Sequence, residues 1–208
     1  MQWFPIVVGV LVSYMLGNVN GAVTISALMQ DDVRKHGSGN AGLTNFIRSY
    51  GTAKALLVVG IDALKAVLAC LVTGLLLDPY GMYMEGVMIG GTAVILGHVF
   101  PALLGFRGGK GILSGLFIAL VADWRIALGI VVIFFAVYLI TRYVSLSSVL
   151  AATGFAVGFC IWHNQEPIVM ICGIVIPALA IFMHRSNIVR LCTGKETKTN
   201  LFKKEKSL

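Results

Sequence analysis

The chain has 208 residues, of which 58% are hydrophobic and 12% charged, against roughly a quarter charged in an average soluble domain. A water-soluble fold of this size could not bury so much apolar surface, and the apolar residues run in stretches long enough for a bilayer. The formal net charge of +7 flanks those stretches instead of lining one face, which is the pattern of membrane topology and excludes nucleic acid as the partner.

Taken in chain order, apolar stretches occupy residues 4–29, 53–77, 84–104, 111–122, 126–140, 144–161 and 167–183. The first begins without a positive n-region and runs on without a convincing cleavage site, so a retained span is expected, not a signal peptide. Stretches 111–122 and 126–140 fall below the ~20 residues of a full span. They are either two short helices or one helix interrupted near Asp123. Loop charge separates these readings. Seven spans with the N-terminus outside place Arg34, Lys35, Arg48, Arg107, Lys110, Arg142, Arg185, Arg190 and the Lys-rich tail inside. Outside they leave Arg125 with Asp78, Glu85, Asp123 and Glu166. Merging the two short runs would put Arg142 and the tail outside, against the positive-inside rule. The expectation is an all-α integral membrane protein with seven transmembrane helices, two of them short, N-terminus outside and C-terminus cytoplasmic. Residues 1–192 form a single polytopic domain, and 193–208 a solvated basic tail attracted to anionic lipid. The cysteines, Cys70, Cys160, Cys172 and Cys192, show neither a CxxC pair nor zinc-ligand spacing.

Four inner segments carry polar chemistry. The first reads His36-Gly37-Ser38-Gly39-Asn40-Ala41-Gly42-Leu43-Thr44-Asn45, then Arg48. Its glycines let successive backbone N–H groups face an anion. Ser38, Asn40, Thr44 and Asn45 can donate hydrogen bonds, and Arg48 suits bidentate phosphate contact. Alone, such a loop is also an ordinary turn and helix cap. The second, Gly105-Phe106-Arg107-Gly108-Gly109-Lys110-Gly111, opens a helix, so its N–H groups and Lys110 suit a phosphate. It does not satisfy GxxxxGK[ST]. The third carries Ser145, Ser147 and Ser148 behind Arg142-Tyr143, serines whose more common role at a membrane entrance is as helix caps. The fourth is His184-Arg185-Ser186-Asn187 with Arg190 beyond; His184 and Asn187 share a face if the helix continues. All four fall on the inner side. Their common chemistry is donors and cations without a carboxylate cluster, the chemistry of a phosphate site.

Within the apolar runs, Asp62 and Lys65 lie three residues apart in the second span, an intramembrane pair that is either functional or mutually neutralising. His98 approaches the inner surface, and Asn18 and Asn20 can tie helices together. No HxxxxD, no GxSxG and no inner carboxylate cluster for Mg²⁺ or Zn²⁺ is present. No metal and no cofactor is expected.

The segments GSGNAGLTNFIR (37–48), LGHVFPALLGFRGGKG (96–111), RYVSLSS (142–148) and HRSNIVRLCTG (184–194) together resemble the bacterial acyl-phosphate:glycerol-3-phosphate acyltransferase (PlsY) family. The resemblance runs from the end of the first span to about Gly194, and the family also has an Asp and Lys in its second span. Two departures stand out: Leu43 where the family usually reads GATN, and GNVNG (17–21) where it commonly has a Pro-containing run. They bear on packing under the first loop and on the kink of the first helix.

The resemblance implies transfer of a fatty acyl group from acyl phosphate to the sn-1 hydroxyl of glycerol-3-phosphate, giving lysophosphatidic acid and phosphate in phospholipid biosynthesis. The implied partners are glycerol-3-phosphate, long-chain acyl phosphate and membrane lipids, with the enzyme a monomer in the inner (plasma) membrane and its site facing the cytoplasm. Acyl phosphate is already activated, so direct attack by the hydroxyl needs orientation and charge stabilisation, not a covalent acyl-enzyme. By motif carry-over Lys110, His184 and Ser148 are the catalytic candidates. Ser38, Asn40, Thr44, Asn45, Arg48, Gly108, Gly109, Gly111, Ser145 and Asn187 are the substrate-binding ones. The hydroxyl proton goes either to a substrate phosphate oxygen or to His184. Two other readings stay open on the residues alone. A transporter of a phosphorylated metabolite would want polar residues continuing to the outer face. A non-catalytic scaffold would leave the convergence of Arg48, Lys110, His184 and Asn187 unexplained.

Overall fold

The structure is a computed structural model that describes residues 3–199. Met1-Gln2 and the distal tail with Lys203, Lys204 and Lys206 lie outside the described residues. The described residues are α-helical throughout, with short 3-10 turns and no strand. This agrees with the all-α expectation. Of the helices, 4 are long and apolar enough to cross a membrane, or up to 6 crossings if each bent pair is one span.

The first apolar run is not one helix. α1 (Trp3–Asn18) and α2 (Gly21–Leu28) meet at a 44° bend. Asn20 makes the break: its backbone is extended, and its side-chain oxygen accepts from the Val23 N–H at 3.0 Å, capping α2. α3 (Leu43–Tyr50) is a short amphipathic helix that the apolar pattern does not mark. It buries Phe46 against Ala22, Val33 and Val58, closing a small second core beneath the first polar loop.

α4 (Thr52–Leu77) and α5 (Tyr83–Val99) pack on α1 and form the centre of the bundle. α6 (Ile112–Ala122) and α7 (Trp124–Thr141) are separate helices, so the interrupted single helix is not what forms. Asp123 is the junction, with its carboxylate accepting from the Arg125 N–H at 2.9 Å to cap α7. α8 (Val144–Trp162) returns beside α7, and α9 (Pro167–Met183) beside α8 and α5. α10 (Arg185–Cys192) then turns off by 58° at His184. The main core runs through α4 to α9, from Ala66 and Cys70 through Val94, Ile118 and Ile126 to Phe159 and Ile176. Outward-facing Leu56, Leu64, Leu75, Leu128, Val132 and Leu139 are exposed, as side chains bathed by lipid are.

Two ends of this bundle differ. Ser145 at the start of α8, Lys110 before α6 and Asn187 on α10 gather at one end. Asp123 and His163, at the far ends of α6 and α8, meet at 3.3 Å at the other.

Candidate active site

The first loop is built around Asn45. Its side-chain amide donates to Val33 O at 3.0 Å, His36 O at 3.0 Å and Asn40 O at 3.1 Å, and its oxygen accepts from the Ser38 N–H at 2.9 Å. One buried side chain thus gathers the loop from Val33 to Asn40, and its own polar atoms are turned to backbone rather than outward. Ser38 is exposed on the loop it shapes, and Asn40 and Thr44 are half-buried. Arg48, on the exposed side of α3, donates to Thr199 Oγ1 at 3.3 Å.

The second loop lies against the first. A side chain at Gly108 would meet His98 O at 1.9 Å; one at Gly109 would meet His98 Nε2 at 2.3 Å and Ala41 O at 2.9 Å. Only glycine permits that approach. The Gly109 N–H donates to His98 O at 3.1 Å. Gly111 then takes φ +79 and starts α6, so Lys110 stands at the positive end of that helix. Lys110 Nζ donates a hydrogen bond to Asn187 Oδ1. Burial pushes Lys110 down to about 8; the neighbouring Glu196 carboxylate pulls the other way, and Arg190 adds to the depression.

Glu196 was not among the residues the sequence marked. The stretch from Thr193 onward reads as a solvated tail, yet residues 195–199 fold back over this end of the bundle. Glu196 Oε1 accepts from Ser145 Oγ and from Asn187 Nδ2, both at 2.7 Å, while Oε2 accepts from Arg190 Nε at 2.7 Å. Burial opposes its charge, but these hydrogen bonds from Asn187, Ser145 and Arg190 hold its carboxyl below the usual range. Thr199 adds a second clasp, its carbonyl taking the Tyr138 hydroxyl at 2.8 Å and its N–H meeting Arg142 O at 3.0 Å. The sequence signal was slight: Glu196 is one of two acids, with Glu205, in the basic stretch after Gly194.

Ser148, one turn beyond Ser145 on α8, and His184, close to Lys110 and Glu196, are each about 4% exposed. His184 Nδ1 donates to Ala180 O at 2.8 Å, so its Nε2 is the nitrogen left open. The bend at His184 means the helix does not continue through it; Asn187 nonetheless lies inward, 7% exposed, because α10 turns across the end of α8. The structure therefore unites Lys110, Ser145, Asn187, Arg190 and Glu196 directly. It links Arg48 to them through the folded-back tail, and joins the two glycine loops at Ala41 and Gly109.

Beneath both loops sits the intramembrane pair. Lys65 Nζ meets Asp62 Oδ1, Val19 O and His98 Nδ1, all at 2.7 Å. All three side chains are nearly sealed from solvent. Asp62 and Lys65 thus neutralise one another, and His98 joins them.

Known proteins bear on this arrangement. The family described as "Glycerol-3-phosphate acyltransferase" matches residues 7–194. A glycerol-3-phosphate acyltransferase of Thermoanaerobacter sp. (strain X514) is 38% identical over 189 residues, covering 90% of this chain and 92% of the relative. One from Aquifex aeolicus (strain VF5) is 35% identical over 187 residues, covering 90% and 95%. Among solved structures, PlsY, an integral membrane glycerol 3-phosphate acyltransferase in its glycerol 3-phosphate form, superposes with a TM-score of 0.86 at 33% identity, over 95% of this chain and 99% of that one. Its lysophosphatidic acid form gives 0.82 at 32%, over 94% and 96%. With the four motifs, the helical bundle and these matches in agreement, this chain belongs to the PlsY family of integral membrane glycerol-3-phosphate acyltransferases.

Proposed function

We propose that the chain transfers a fatty acyl group from a long-chain acyl phosphate to the sn-1 hydroxyl of glycerol-3-phosphate, giving lysophosphatidic acid and inorganic phosphate. The observation that carries the reading is the part-buried Lys110–Asn187 contact at the start of α6, joined through Glu196 to Ser145 and lying close to His184. Cations and donors held with a single, fully bonded carboxylate suit a site that receives phosphate. Family membership supplies the acceptor, and relatives have been crystallised in glycerol 3-phosphate and lysophosphatidic acid forms.

In the reaction, the glycerol hydroxyl oxygen attacks the acyl carbonyl carbon. The bond from that carbon to the phosphate oxygen breaks, and phosphate leaves with the electron pair. Lys110 and the N–H groups of 108–111 stabilise the charge that develops on carbonyl and phosphate oxygens. Arg48, Ser38 and Asn187 orient the phosphates. Asn45, expected to bind substrate directly, is proposed instead to hold the loop that does. The hydroxyl proton ends on the departing phosphate, which needs no separate base. His184 offers a second reading, since its bond to Ala180 leaves Nε2 free to accept a proton.

The proposed setting is a monomer with seven spans, the N-terminus outside and this site facing the cytoplasm. The support is charge: Arg34, Lys35, Arg48, Arg107, Lys110, Arg142, Arg185 and Arg190 lie toward the site end. Cys192 is exposed beside the site and Cys160 near the other end of α8, so in a Cys160→Ser variant an impermeant maleimide should label Cys192 in inverted vesicles and spare it in intact cells. Labelling of intact cells would reverse the orientation.

The activity test gives purified protein glycerol-3-phosphate and palmitoyl phosphate and measures lysophosphatidic acid. Product is expected. Product from acyl-CoA or acyl carrier protein but none from acyl phosphate would overturn the donor assignment. Replacing His184 with Gln separates the proton routes. A loss of a few-fold supports the phosphate, and a loss of the 10²–10⁴-fold typical of general-base removal supports the imidazole.

A further inference from the structure

The break between α1 and α2 is a place where backbone is left unpaired inside an apolar bundle, which lipid does not tolerate. The partners it finds are informative. Val19 O accepts from Lys65 Nζ at 2.7 Å, and the Gly21 N–H donates to Asp62 Oδ1 at 3.2 Å. The ion pair therefore stands in for the missing turn of helix. Both side chains at the break reach outward to a different substrate loop. Asn20 Nδ2 donates to Ala41 O at 3.0 Å, in the Gly37–Gly42 loop, while Asn18 Oδ1 accepts from the Leu103 N–H at 3.0 Å, in the turn leading to Gly105–Gly111. Lys65 carries the connection on to His98 Nδ1 at 2.7 Å, and the ring of His98 is the floor on which Gly109 rests.

Since the Lys65 ammonium has N–H groups to give and nothing to accept with, His98 Nδ1 is the acceptor and the ring proton sits on Nε2. Every polar group in this chain of contacts has a defined role, which is the condition under which a buried network rigidifies its surroundings. A ligand held between two loops depends on the spacing of those loops to a fraction of an ångström. Here the helix break touches both.

We propose that Asn20, Asp62, Lys65 and His98 are positioning residues for the phosphate site: they lock the broken first helix to both glycine loops and so set the gap into which glycerol-3-phosphate binds. None of them touches the reacting atoms. The inference rests on the loops being the glycerol-3-phosphate site, and it goes beyond that reading by assigning the buried polar groups that the chemistry leaves unused.

The test compares Asn20→Ser, His98→Asn and His98→Ala in detergent, measuring glycerol-3-phosphate KM, kcat, calorimetric glycerol-3-phosphate binding and melting temperature. Ser keeps the cap on α2 but is too short to reach Ala41. Asn keeps an acceptor where Nδ1 stood, and Ala removes it. Asn20→Ser is expected to raise KM and Kd roughly tenfold, with kcat and melting temperature close to wild type. His98→Ala is expected to lose on the order of a hundredfold in kcat/KM, the cost of an ångström of misplacement, and His98→Asn to recover most of it. Wild-type KM and Kd in folded Asn20→Ser would overturn the proposal even if His98→Ala does not fold. So would equal losses in His98→Ala and His98→Asn. The parent reading fails differently, through a wild-type protein that makes no product from acyl phosphate or does not bind glycerol-3-phosphate.

Discussion

The two ends of the bundle carry charge to opposite purposes. At the end formed by Asp123 and His163, the charges close on themselves. Asp123 caps α7 and takes Arg125 Nη2 at 2.6 Å, while His163 stands between Asp123 at 3.3 Å and Glu166 at 3.0 Å. At the other end Lys110, Asn187, Ser145 and Arg190 gather at the Glu196 carboxylate, whose oxygens are already bonded, while Asp31 and Asp32 on the neighbouring loop are taken up by His36, Tyr50 and Arg34. The first arrangement is a staple between two helical turns. The second leaves Lys110 and Arg48 without a salt bridge among the described residues, which suits the phosphate of the proposed reaction. The same helices, α6 and α8, carry one at each tip, so a helix's sequence is polar at both ends for unrelated reasons.

The sharpest way to break this contrast is to remove one cation from each end. Lys110→Met should lower kcat/KM on the order of 10²–10³-fold, as loss of a donor to developing charge does. It should change the melting temperature little, because a half-buried charge gives way to an apolar chain of similar length while Glu196 keeps Arg190 as its counter-charge. Arg125→Met should leave kcat/KM unchanged. Equal effects would mean the two ends do not differ as described.

Glu196→Gln comes next. A neutral amide cannot hold Arg190 as the carboxylate does, and charged hydrogen bonds contribute about 1.5–3 kcal/mol, so roughly a tenfold or larger fall in kcat/KM is expected. The pH profile adds a signature. Lys110, at about 8, loses its charge as pH rises through that value, so kcat/KM for glycerol-3-phosphate should fall there. Glu196 favours the charged lysine, and Glu196→Gln should move the falling limb to lower pH. Stability runs the other way: with the folded pKa below the ordinary 10.5, the unfolded chain holds the proton longer, and stability rises between about 8 and 10.5.

The smallest effect belongs to the staple. Asp123→Ala should cost about 1 kcal/mol as a lost helix cap, read as a lower denaturation midpoint with activity intact. Hydrogen bonds from Arg125 hold the Asp123 carboxyl down at about 2, below its ordinary 3.8. Its contribution is thus complete above about pH 4 and lost as pH falls toward 2. One end titrates in acid and the other in mild base.

The apolar runs were legible because lipid-facing and core residues both need to be apolar, and the observed helices begin and end within a few residues of the expected stretches. α3 was not, since its 8 residues are amphipathic and short. The glycines and Lys110 were legible from their types at close spacing. The role of Asn45 was not, because an amide that binds ligand and one that binds its own loop look alike in sequence. Glu196 escaped for a related reason: its partners Ser145, Asn187 and Arg190 come from α8 and α10, and nothing local announces that the chain turns back to them. The Asp62–Lys65 pair was visible as a pair, while its third member, His98, belongs to another helix.

The brevity of α6 has a consequence of its own. It has 11 residues, about 16 Å at the rise of an α-helix, whereas α8 joins the same two ends of the bundle with 19, about 28 Å. Since the two helices meet at Asp123 and His163, the loop carrying Lys110 opens α6 roughly 12 Å below the start of α8. On the proposed reaction, the greasy donor need not climb toward water to meet its acceptor; the small, water-loving acceptor descends to it. The recess also keeps bulk water, the rival nucleophile for an activated acyl group, outnumbered at the place where the carbonyl is exposed. A lipid made at that depth starts life with its tail already among its neighbours.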